Sequence, residues 1–133
     1  MGTWDIGHFD NDTAADFGGD LDDAPENERE NLIRAALIRT IETDGYLDSS
    51  DACEVLASAA LIAAQCPGGT PITTAYAPKK PLPTFSADLR PLAVEALDRV
   101  LAPDSELPEL WDDTEHGPAW RQSVANLRAV LLN

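Results

Sequence analysis

Positive charge is what this chain of 133 residues lacks most. Nine Lys and Arg stand against 24 Asp and Glu, a formal net charge of −15. Such a field repels nucleic-acid phosphates and argues against DNA or RNA as partners. Cysteine is scarce too, with only Cys53 and Cys66. Neither lies in a CxxC pair, so zinc-ribbon and dithiol redox chemistry are set aside. With 51–65 as one helix, the two thiols mark its ends, about 20 Å apart. A disulfide needs Cα atoms within roughly 7 Å, so both are expected to be free, as in a reducing compartment. No apolar run approaches the roughly 20 residues of a membrane helix. No basic segment followed by an apolar stretch opens the chain, so no signal peptide is expected. After Met1-Gly2, position 6 is Ile6 rather than the Ser or Thr that myristoylation requires. These absences point to a cytoplasmic protein without a membrane partner.

Catalytic signatures are missing as well. There is no GxSxG, P-loop, GxGxxG or HExxH. The two histidines, His8 and His116, each sit beside acids, and only tertiary folding could join them into a metal or enzymatic site with the nearby carboxylates. Paired acids such as Asp112-Asp113 are unavoidable among 24 and carry no signal for acid–base catalysis. No cofactor is implied, and an enzyme is the less favoured reading.

What the chain does have is a hydrophobic fraction of 44%, enough for one domain over residues 1–133 with a real core. Its periodicity is helical throughout. Ala14, Phe17 and Leu21 form a stripe that predicts a helix over Thr13–Asp22, weakened by Gly18 and Gly19. A second helix starts near Asp23, with Pro25 in its first turn, buries Ile33, Ala36, Leu37, Thr40 and Ile41, and stops at Gly45. Glu30 and Arg34 are spaced for an i,i+4 pair on its other side. The third, Asp51–Gln65, has Ser50 or Asp51 as its cap and is apolar almost all round, as befits the buried centre of a bundle.

Five prolines and Gly68-Gly69 exclude a helix over 66–85 and predict an extended loop across the bundle surface. That loop holds the only lysines, Lys79 and Lys80, which are expected to meet acids of the same molecule. A fourth helix spans about Asp88–Leu101, and a helical turn is predicted around Ser105–Trp111. Gly117-Pro118 opens the last helix, with Trp120, Val124, Leu127 and Leu131 as its buried stripe. The expected fold is an all-α, compact bundle of about five helices, with a long Pro-rich loop between the third and fourth.

The acids are unevenly placed. Residues 1–30 hold ten acids against one base, Arg29, a local net of −9, and 104–115 hold six acids and no base. Within the first run, Asp10-Asn11-Asp12 invites comparison with a calcium loop. Starting at Asp10, an EF-hand would want an acid at Ala14, Gly at Ala15 and Glu at Leu21, so three requirements fail. Asn11 or Asp12 is better read as the N-cap of the first helix. Trp4, Ile6 and Phe9 would then fold back to pin the N-terminus. The competing reading is a protein-binding surface, an aromatic–acid mixture suited to Arg or Lys of a partner. Its candidate residues are Trp4, Asp5, Asp10, Asp12, Asp16, Asp20, Trp111, Asp112 and Asp113.

The run W-x-I-G-x-F-D-N-D-T-A-A-D-F, Trp4 to Phe17, resembles the start of an uncharacterised bacterial family, domain of unknown function 4259. Tyr46-Leu47 before the Ala-rich helix, and the run from Asp104 to Trp111, look like further features of it. Asp5 stands where the family shows Gly. The resemblance implies no activity. Charge, size and missing motifs together lead us to expect a small acidic protein-binding module, of the immunity or inhibitor type, that neutralises a basic toxin or nuclease.

Overall fold

The computed structural model describes residues 11–69, 78–80 and 82–132. Among them are six α-helices and no strand: α1 (Asp12–Asp23), α2 (Glu26–Ile41), α3 (Ser49–Ala64), α4 (Leu89–Val100), α5 (Glu106–Asp112) and α6 (Gly117–Leu132). The sixth relative to expectation is α5, because the turn foreseen around Ser105–Trp111 is a helix of seven residues.

α3 occupies the centre. Eleven of its 16 residues are buried, from Ala52 to Ala63, and it packs against all five other helices. Its alanines lack bulk, so α2 and α4 come close to it and to each other. Into this frame α1 inserts Ala14, Phe17 and Leu21, α4 inserts Leu89, Ala93, Leu97 and Val100, and α6 inserts Trp120, Val124 and Leu131. Each is the stripe that 3.6-residue periodicity places on one face. Removing a fully buried leucine here, such as Leu97, would cost about 2–5 kcal/mol. Both cysteines are free, and burial, with Glu54 and Asp48 nearby, pushes the Cys53 thiol up to about 12.

Helix ends depart from the sequence reading in three places. Asp48, not Ser50 or Asp51, caps α3; its Oδ1 accepts the Asp51 amide at 3.0 Å. In the run Asp48-Ser-Ser-Asp51 every residue is a competent cap, so composition does not choose among them. Pro25 is the cap residue of α2, extended at ψ 148, and not part of its first turn. α2 also ends before Gly45: Thr43 Oγ1 donates to the Arg39 carbonyl at 2.7 Å, and Gly45, at φ 79, makes the turn beyond. Ile41 and Leu101 are only partly buried, whereas Arg29, not foreseen inside, is buried and donates from Nε to the carbonyls of Leu21 and Ala24.

One short crossing links the two ends of the chain's middle. Leu47 and Ser105 form an isolated parallel bridge, with Leu47 N–H donating to the Asp104 carbonyl at 2.8 Å and Glu106 N–H to Leu47 at 2.9 Å. Arg99, at the end of α4, donates to the carbonyls of Thr43, Gly45 and Asp104 and so clasps both loops. Beyond α3, Gly69 is tied to the Cys66 carbonyl, and a Cβ there would lie 1.8 Å from the Ala63 carbonyl oxygen, so no other residue fits that backbone. No helix among the described residues is long and apolar enough to cross a membrane.

Candidate functional site

The acid-rich face begins with the cap of α1. Asn11, itself buried, accepts the Ala14 amide on Oδ1 at 2.8 Å, which settles the choice between Asn11 and Asp12. Once the cap and the Ala14–Phe17–Leu21 stripe orient the helix, spacing dictates what faces out. Asp12, Asp16, Asp20 and Asp23, at steps of four, four and three, share one exposed face. None of Asp12, Asp16 or Asp20 forms an ion pair with a base among the described residues. Asp12 lies at the positive end of the helix dipole, which favours it; Asp16 and Asp20 gain little from that.

Where α1 meets α3 the negative charge is concentrated. Glu54 is half-buried and bonded to Arg39 of α2, Nη1 to Oε1 at 3.2 Å; Asp51 approaches the same nitrogen at 3.8 Å. Burial raises the Glu54 carboxyl, Arg39 pulls it down, and Asp51 and Asp20 push it up again, leaving it above its ordinary value. One guanidinium therefore serves two carboxylates, Glu54 and Asp51, with Asp20 adding further negative charge beside Glu54.

The second acid-rich segment is organised differently. Asp112 makes a two-pronged contact with Arg121, at 2.9 and 2.7 Å, which holds its carboxyl below the usual range. Glu109 accepts the Tyr46 hydroxyl at 2.6 Å, and that bond is the main reason the phenol is pushed up to about 12. Glu106 accepts the Ser49 amide at 2.8 Å. Trp111 stacks on the buried Trp120, ring centroids 6.1 Å apart and planes 11° from parallel. Gly117 permits this corner, since a Cβ there would sit 2.9 Å from the Trp111 carbonyl oxygen. Asp113 is exposed.

The candidates named from sequence thus divide. Asp12, Asp16 and Asp20 come together on α1; Trp111, Asp112 and Asp113 lie in the α5–α6 corner; Trp4, Asp5 and Asp10 lie outside the described residues, as do Ile6, His8 and Phe9. His116 is exposed beside Glu115, 3.6 Å away. Among the described residues no three of His, Cys, Asp and Glu are grouped to hold a metal ion. Sequence reasoning missed Arg39, Asp51 and Glu54 as neighbours of the α1 face, because only the packing of α2 and α1 on α3 joins them.

The lysine segment meets an acid of the same molecule, Asp22, through its main chain. Lys79 and Lys80 donate their backbone amides to the Asp22 carboxylate at 2.8–2.9 Å. Burial alone would raise Asp22; those amides, with the charges of Lys80 and Arg29, outweigh it and hold the group below its ordinary value.

A family model described as Domain of unknown function (DUF4259) matches residues 2–123. The chain belongs to that family. The DUF4259 match covers the N-terminal motif, the acidic face of α1 and the whole α5 corner, and it ends within α6. No curated protein and no solved structure matches the chain.

Proposed function

We propose that this DUF4259 protein is a small, non-enzymatic, cytoplasmic module that binds a basic protein through the outer face of α1. The specific form is an immunity or inhibitor protein whose carboxylates occupy the phosphate-binding residues of a toxin or nuclease. The observation that carries it is the unpaired state of Asp12, Asp16 and Asp20 among the described residues, beside the under-neutralised Asp51–Glu54–Arg39 group. Like charges gathered on one face weaken the folded state slightly and gain when a cation arrives. Asp98, Asp112 and Glu106, by contrast, already have arginine or amide partners. Association driven by such a face is fast and falls steeply with salt.

Capture experiments at low and high salt test the reading. The wild type recovers a basic protein at low salt and releases it at high salt, and Asp16→Asn/Asp20→Asn loses it while Asp113→Asn keeps it. Recovery of no basic protein under either condition would remove the proposal. Stoichiometric metal in the purified protein would instead favour the alternative centred on His8 and His116.

A further inference from the structure

Residues 78–80 and 82–86 cross three helices, and side chains, not a backbone ladder, hold them there. At one end the amides of Lys79 and Lys80 donate to Asp22 of α1. In the middle Gln65, just past α3, makes a reciprocal pair: Nε2 donates to the Pro83 carbonyl at 2.9 Å, and Oε1 accepts the Phe85 amide at 3.0 Å. At the far end Glu30 of α2 accepts the Ser86 amide at 2.8 Å and its hydroxyl at 3.3 Å. Leu82 and Phe85 rest, partly buried, on the core. Phe85 and Ser86 form part of the wall of a cleft of about 210 Å³, with Ile62, Gln65, Cys66 and Arg90 among its other lining residues.

Asp22 and Glu30 lie on α1 and α2, and Gln65 is the C-terminal cap of α3; the hydrogen bonds within these helices do not involve residues 78–80 and 82–86. Exposed side-chain contacts of this kind have modest net worth, and segments held by few of them open below the global unfolding free energy. We propose that residues 78–80 and 82–86 form a strap that opens and closes as one unit over the cleft at the end of α3 while the helical bundle stays folded. Opening lifts the Phe85 ring from the core and uncovers Ile62 and the Cys66 thiol. Asp22 and Glu30 set how often this happens, because each loses its grip when its carboxylate is removed. The strap therefore couples the C-terminal end of α1 to access at the far end of α3.

Amide exchange followed by NMR at neutral pH separates a strap from independent contacts. In the wild type the amides of Lys79, Lys80, Phe85 and Ser86 share one degree of protection, well below that of α3. Asp22→Asn speeds all four by roughly tenfold, the scale of a lost bond to a charged acceptor, and leaves α3 unchanged. Glu30→Gln, acting from the other end, does the same to Lys79 and Lys80. Labelling of Cys66 by a thiol reagent rises in parallel, with the buried Cys53 as internal control. Acceleration confined to the two amides nearest each substitution would overturn the proposal. So would exchange at unprotected-chain rates in the wild type, an unchanged Cys66 rate, or equal acceleration in α3.

Discussion

The outer face of α1 and the α5–α6 corner are both rich in acid, yet they use it in opposite ways. In the corner each carboxylate with a defined role has a partner: Asp112 has Arg121, Glu109 has Tyr46 and Glu106 has the Ser49 amide. On α1 the exposed Asp12, Asp16 and Asp20 have no ion-pair partner among the described residues, and Arg39, across on α2, is already shared by Asp51 and Glu54. Net charge alone does not distinguish these cases. Whether a carboxylate builds the fold or waits for a partner depends on what the packing of neighbouring helices brings to it.

Substitutions should widen that difference. The largest effect belongs to the corner: Trp120→Ala removes a buried ring and the support for Trp111, costing about 3–5 kcal/mol in denaturant unfolding. On the α1 side, Asn11→Ala removes the cap and costs about 1 kcal/mol, because the Ala14 amide loses its acceptor. A smaller effect is spectroscopic. Tyr46 titrates at about 12 in the intact protein, and Glu109→Gln brings it back toward the ordinary 10, as read from the tyrosine resonance in alkali.

Acid should act on the two regions with opposite sign. Arg121 holds Asp112 below 3.8, and Arg34 does the same for Asp88. Their ionised contacts contribute above that value and are lost as pH falls through the lowered folded-state values. Glu54 is held above 4.5, so its ionisation weakens the fold, and acidification through its folded-state value relieves the strain. Thermal melts should rise slightly as pH descends toward the region just above 4.5, then fall below 3.8. Glu54→Gln reduces the rise and leaves the acid-side fall, whereas Arg121→Ala reduces the fall.

Much of the architecture was legible from periodicity. The stripes of α1, α3 and α6 are the buried residues observed, as is that of α4 except for the partly buried Leu101, and Pro91 and Pro118 fall in first turns as helix geometry demands. Helix ends were less legible where several cap-competent residues adjoin, as at Asp48–Asp51. The length of α5 was hidden because seven residues carry too little periodicity to separate a turn from a helix. The candidate site was legible only as composition. Asp12, Asp16 and Asp20 follow from spacing along one helix, but their relation to Glu54 and Arg39 depends on three helices packing together. The pairing of Asp112 with Arg121 spans nine residues and a turn, which no local pattern encodes.

The most direct test compares stability and capture in Asp16→Asn/Asp20→Asn. If α1 holds its acids for a basic partner, the variant melts at or above the wild-type temperature, because repulsion near Glu54 is relieved, and it no longer captures a basic protein at low salt. A variant that melts lower than wild type, or that captures the protein as well as wild type does, would contradict the account.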